Sequence, residues 1–265
     1  MTIRPAIAFH LIILALTAWS AEPETSAVSA ADLAARLNAW QQDGASYVRL
    51  RMTVNQPSGK SAVQVQIKAR RTKGASEAVY QILWPKERKG ESVLLRQTAG
   101  RSSGSVFVPP STLRSLDPSQ MKGSLFGSDL SYEDLVDNCF AWEKQAIVGT
   151  EDVDGVSCQI LESKPGKGDR SSYARVRSWI DTRRLVPLRI EKYASGGLVR
   201  RIEASNVVSD DIGRHVPANL SIRGPQKGSV TEIDGSRIKH DVTYPDAQFS
   251  PDGLKKVEIP RSSAE

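Results

Sequence analysis

The chain has 265 residues, of which 39% are hydrophobic and 25% charged, and 36 basic side chains against 30 acidic ones leave a net charge of +6. These proportions are close to globular averages, so they exclude a chain disordered along its length and supply enough apolar material for a core. The positive charge is spread along the sequence rather than blocked, which fits solubility or attraction to anionic surfaces.

Arg4, an apolar run from Ala6 to Ala18 and then small residues make the three-part layout of a secretory signal peptide. The run is shorter than the ~20 residues a helix needs to cross a bilayer, so cleavage before Ala21 is expected rather than a permanent span. No cysteine stands near that point to take a lipid anchor. The expected organisation is a signal peptide over 1–20, a linker over 21–28, one domain over 29–258 and a flexible tail over 259–265. The expected location is the periplasm, which removes nucleic acid as a partner. In that oxidising compartment the two cysteines, Cys139 and Cys158, are expected to bridge, contributing ~3 kcal/mol in the chain-entropy model.

Ser29 caps a predicted helix with Asp32 three positions on, and Leu33, Leu37 and Trp40 recur on one face. From Ser46 the period becomes two: Val48, Leu50, Met52 and Val54 share one side of a strand. A turn at Pro57 to Lys60 leads to Val63, Val65, Ile67 and Ala69, completing an antiparallel hairpin. Further strands are predicted over 77–84, 92–96, 105–108, 140–149, 156–163, 173–181, 186–193, 198–208, 215–222 and 230–244. Such a series, about eleven strands with almost no helix between them, implies one large curved antiparallel sheet. Its apolar face needs a cover. Three segments are available: the Ser29 helix, the stretch from Pro118 to Asn138, and the end, where Ser250 and Pro251 precede Leu254 and Val257 as N-cap and first helical residue.

Catalytic signatures are missing. There is no GxSxG elbow, no GxGxxG after a strand, no Walker-type loop and no HExxH. After the leader the histidines are His215 and His240, in strand-like stretches with no neighbouring ligand in sequence, so no metal and no cofactor are expected. Asp129, Glu133, Asp134 and Asp137 form an acidic cluster, read as a helix start because Ser131 and Asp134 make a capping box.

The segment Gly127-Ser128-Asp129-Leu130-Ser131-Tyr132-Glu133-Asp134, following Phe126, resembles the signature of the LolA-like outer-membrane lipoprotein-sorting proteins. Phe107-Val108-Pro109-Pro110 before it, Trp142 after it, Trp179-Ile180-Asp181 with Val186-Pro187-Leu188, and Phe249-Ser250-Pro251 fall in the order that family shows. The stretch Ser111 to Asp117 is less basic than the family's. The resemblance implies a mainly β fold, an unclosed half-barrel with short helices covering its concave face. It implies a non-enzymatic, monomeric carrier of lipid or acylated lipoprotein, served by an inner-membrane exporter and able to touch a membrane peripherally. Trp84, Phe107, Leu125, Phe126, Tyr132 and Trp142 are the candidates for lining its groove.

Three other readings stay open: an interaction module that couples an exporter to its partners without cargo, an outer-membrane β-barrel, and an enzyme of unknown type. Arg and Lys on both faces of the strands argue against the barrel. A solid core under the cover would favour the interaction module, and an open apolar tunnel would favour cargo.

Overall fold

The computed structural model describes residues 28–40, 44–72, 75–98, 101–235 and 238–258. The signal peptide, most of the linker and the tail expected from sequence lie outside these residues. Helix α1 spans Ala30–Trp40. The Ser29 hydroxyl accepts the Asp32 N–H at 3.0 Å and donates to the Asp32 carboxylate at 2.6 Å, which satisfies a backbone donor that a helix start leaves open. Leu33 and Leu37 form the buried face of this helix.

The strands are β1 (Ala45–Gln56), β2 (Gly59–Thr72), β3 (Ala75–Trp84), β4 (Ser92–Thr98), β5 (Arg101–Val108) and β6 (Thr112–Leu116). After helix α2 (Tyr132–Val136) come β7 (Lys144–Val153), β8 (Val156–Lys164), β9 (Arg175–Asp181), β10 (Val186–Ala194), β11 (Gly197–Ser209), β12 (His215–Arg223), β13 (Val230–Gly235) and β14 (Lys239–His240). They form one antiparallel 14-stranded sheet in the order β6-β5-β4-β3-β2-β1-β13-β12-β11-β10-β9-β8-β7, with β14 paired to β1. The sheet is not closed, since β6 and β7 are its two edges.

The predicted half-barrel is therefore present, with more strands than expected. Thr112–Leu116 pairs with β5 although its polar residues do not read as a strand, and the run predicted over 230–244 holds two strands, β13 and β14, with different partners.

Register puts one set of apolar residues on a single face. Met52 lies between Val63 and Ile233, Val65 opposite Ile82, Tyr80 opposite Val93, and Ile202 between Ile190 and Ile222. Two core clusters occupy this inner face. One gathers Met52, Val65, Ile82, Leu95 and Val106 beneath Met121, Leu125 and Tyr132, and the other gathers Leu161, Val176 and Ile180 beneath α1, Phe140 and Trp142. The chain between the edge strands β6 and β7 thus crosses the inner face and covers it.

The outer face has a cover of its own. Phe249 and Leu254, in 3₁₀ turns at Asp246–Phe249 and Gly253–Lys255, pack on Val79, Leu94 and Phe107. The end of the chain was expected to cover the concave face as a helix starting at Ser250. It lies instead on the opposite face, where the Gln66 and Gln81 amides donate to the carbonyls of Glu258, Leu254 and Lys256.

The expected Cys139–Cys158 bridge is not formed, and both cysteines are free and buried. Cys139 packs with α1 and Leu161 on the inner face, whereas Cys158 packs with Trp179 and Leu188. Cys158 and Leu161 are three residues apart on β8, and side chains alternate along a strand, so the two thiols face opposite sides of the sheet. Burial pushes the Cys139 thiol up to about 11.

Candidate functional site

The crossing segment is held to the inner face by polar side chains, most of them from the acidic stretch singled out above. Phe126 takes a left-handed φ of 53° and Gly127 one of 86°, a turn closed by the Ser128 N–H donating to the Leu125 carbonyl at 2.9 Å. A side chain at position 127 would be strained there. The turn aims Asp129 at β13. Its N–H donates to the Thr231 hydroxyl at 2.8 Å, and its carboxylate accepts the Thr231 and Ser229 hydroxyls at 2.8 and 2.9 Å.

Gly224 makes this approach possible, because a Cβ there would sit 2.8 Å from an Asp129 carboxylate oxygen and 3.2 Å from its Cβ. Gly224→Ala should therefore lift the crossing segment and cost ~1–3 kcal/mol, the range for overpacking. A chemical denaturation curve within 0.3 kcal/mol of the native protein's, roughly its error, would contradict that.

The predicted capping box is present. The Asp134 carboxylate accepts the Ser131 N–H and hydroxyl, each at 2.7 Å, and the Ser131 hydroxyl accepts the Asp134 N–H at 3.2 Å. The same carboxylate accepts from Lys192 at 2.9 Å, from the Tyr173 hydroxyl at 2.7 Å and from Arg200. Lys192 also lies 4.9 Å from the centre of the Tyr173 ring. Asp134 is a buried anion between two nearly buried cations on β10 and β11. Burial alone would raise its pKa, but Lys192 and Arg200, with the bonds from Ser131 and Tyr173, hold the carboxyl well below its usual range.

On the same short helix Glu133 accepts the Ser172 N–H at 2.6 Å and its hydroxyl at 2.5 Å, and at its end Asp137 accepts the Ser171 hydroxyl at 2.5 Å. These bonds tie α2 to the β8–β9 connection. Burial, reinforced by Glu133 and Asp134 against the opposing Ser171 bond and Lys192 charge, pushes the Asp137 carboxyl up to about 6. A raised carboxyl stabilises the folded state fully below the unfolded value near 3.8 and loses that contribution as pH rises through about 6. Asp137→Asn should keep the Ser171 bond and raise the melting temperature at pH 7.5 more than at pH 4.5. Equal shifts at both pH values would contradict the assignment.

Beside α2 lies a cleft of ≈ 490 Å³. Pro118, Met121 and Val136 form apolar wall, Glu133, Asp137, Ser171 and Ser172 the polar wall, and Arg101, Lys122 and Arg170 stand around it. Its size falls within the ~300–1,000 Å³ of ligand pockets.

Of the residues predicted to line a groove, Leu125, Phe126 and Tyr132 come together on the crossing segment, packed against the inner face of the sheet. Trp142 lies in the second inner cluster, under α1. Phe107 is on the outer face, because it alternates with the inward Val106, and Trp84 is 51% exposed at the end of β3. Lys192, Arg200, Tyr173, Ser229 and Thr231 were not predicted, since each meets the crossing segment from a strand or connection remote in sequence.

His240 was expected to have no ligand partner. Among the described residues it converges with Asp210 and Asp211, its Nδ1 at 2.5 Å from Asp211. The Arg214 guanidinium contacts both His240 and Asp210, so a cationic side chain already fills that cluster.

A family model described as that of an uncharacterized protein matches residues 74–256. No curated protein matches the sequence. A crystal structure of a DUF1329 family protein from Desulfovibrio piger is 26% identical, with a TM-score of 0.79 over 85% of this chain and 97% of that one. A Vibrio parahaemolyticus domain described as an outer-membrane lipoprotein-sorting protein is 19% identical, with a TM-score of 0.77 over 86% of this chain and 98% of that one. A LolA superfamily protein from Nitrosomonas europaea is 18% identical, with a TM-score of 0.66 over 84% of this chain and 98% of that one. The chain belongs to the family of uncharacterized proteins whose model spans residues 74–256, and it shares the LolA-like fold of the Vibrio parahaemolyticus and Nitrosomonas europaea structures.

Proposed function

We propose that this protein is a periplasmic carrier that shields the acyl chains of a lipid or lipoprotein between the inner face of its sheet and the crossing segment, on the way to the outer membrane. The observation that carries this reading is the construction of the cover. Apolar residues of the crossing segment rest on an inner face that is apolar along most strands, while the bonds that hold it there are side-chain contacts rather than strand pairing. A cover held this way can be displaced without breaking the sheet, and the cleft beside α2 is the place where a chain enters. Each buried methylene contributes ~0.8 kcal/mol, so a single acyl chain brings enough free energy to displace a few apolar contacts. The reading assigns no catalytic step to any residue.

One observation favours the interaction module: Met121, Leu125 and Tyr132 fill the space above the sheet, leaving a packed core rather than an open tunnel there. Titration with a fluorescent polyene fatty acid separates the two. A carrier binds the probe saturably, at ~1 μM, and releases it to unlabelled acyl chains. Fluorescence that rises without saturation would remove the carrier reading and leave the module.

A further inference from the structure

We propose that the cleft beside α2 recognises an anionic, phosphate-bearing headgroup through Arg101, Lys122 and Arg170, so that the cargo is an acidic amphiphile rather than a neutral lipid. This rests on the carrier reading and specifies its ligand. The three cations come from separate places, the start of β5, the 3₁₀ turn Pro118–Lys122 and the β8–β9 connection, yet they border one cleft. All three are exposed, and none forms an ion pair with a carboxylate among the described residues. Most other arginines of the inner and outer faces are engaged: Arg200 with Asp134, Arg70 and Arg96 with Glu77, and Arg177 with Glu162.

Two carboxylates, Glu133 and Asp137, also line the cleft, but both already accept bonds from the β8–β9 connection. Glu133 takes the Ser172 N–H and hydroxyl, and Asp137 takes the Ser171 hydroxyl. The cations are exposed at the cleft and have no ion-pair partner among the described residues. Guanidinium groups bind phosphate oxygens in a bidentate fork and an ammonium adds a point charge, so this rim suits a phosphate better than a hydroxyl or a choline. Pro118, Met121 and Val136 supply apolar wall in the same cleft. Charge and apolar surface in one cleft match the two parts of an acidic lipid. The cations belong to elements next to both edges of the open sheet, β5 beside β6 and the β8–β9 connection beside β7.

The test uses the mature chain and three probes: a lysophosphatidylglycerol below its micellar concentration, a monoacylglycerol with the same chain, and inorganic phosphate. Calorimetric titration should give the lysophosphatidylglycerol at least a tenfold advantage over the monoacylglycerol, with phosphate alone far weaker than either. In the triple variant R101Q/K122Q/R170Q that advantage should disappear, while an unchanged melting curve shows that exposed substitutions have left the fold intact. Equal affinities for the two amphiphiles in the native protein would overturn the headgroup proposal and leave the carrier reading standing. So would an advantage that survives in the triple variant. Phosphate binding as tight as the acidic lipid would make this a free-phosphate site and overturn the lipid assignment, and no binding by either amphiphile would remove the carrier reading as well.

Discussion

Asp134→Ala should lower the unfolding free energy by ~3–5 kcal/mol, the cost of removing one partner from a buried ion pair. The Asp134 side chain is 0% exposed, and its partners Lys192 and Arg200 are only 8% and 9% exposed, so its removal leaves two nearly buried cations without the carboxylate that pairs them. Tyr173 loses the acceptor of its hydroxyl, and Ser131 loses the carboxylate that completes the cap. The loss therefore combines electrostatics, hydrogen bonding and the start of α2. The control is a replacement of the whole triad, Asp134→Leu with Lys192→Met and Arg200→Met. Apolar substitutes of similar volume leave no unpaired charge, so this variant should lose far less than the single one. Urea denaturation reads both. A loss under ~1 kcal/mol for Asp134→Ala would mean that the ion pairs are screened by water and do not hold the cover.

The second large effect is on ligand binding. Asp129 and Thr231 are in direct side-chain contact at 2.8 Å, which makes these positions the place to pin the cover with a cysteine pair. The native thiols are buried and face opposite sides of the sheet, so they do not compete for the new bridge. Oxidised Asp129→Cys/Thr231→Cys should bind a fatty acid at least ~10-fold more weakly than its reduced form, about 1.4 kcal/mol, because the crossing segment is pinned to β13. Equal affinity in the two redox states would show that the acyl chain enters without movement of the cover at this point.

Much of this architecture was legible in the sequence, and the failures have physical causes. Alternation of Val48, Leu50, Met52 and Val54 announces β1, and Ser29 with Asp32 announces α1, because both signals are local. The Ser131–Asp134 capping box is local too, and it forms as expected. What the same pattern hides is that Asp134 serves twice, since Lys192 and Arg200 reach it from strands some sixty residues away, beyond any spacing rule.

Face assignment failed at Phe107 for a related reason. Val106 and Phe107 are adjacent and both apolar, each face of β5 is covered, and alternation alone does not say which of them points inward. The cysteines mislead in the same way. Their spacing suits neighbouring segments, but the parity of Cys158 on β8 sends its thiol to the outer side. Trp84 has the sequence parity of Tyr80 and Ile82, but a register shift pairs it with Gln64, between the inward Val63 and Val65, and it is 51% exposed. The cationic rim of the cleft has no sequence signature, because Arg101, Lys122 and Arg170 meet only once the edge strands are in place.

The most direct test of the carrier account is native mass spectrometry, with lipid extraction, of the mature protein purified from a bacterial periplasm. The account predicts a lipid or acylated protein that co-purifies and is lost from Asp129→Cys/Thr231→Cys protein oxidised before it meets lipid. A clean unliganded mass that stays unliganded when lipids are added would contradict it.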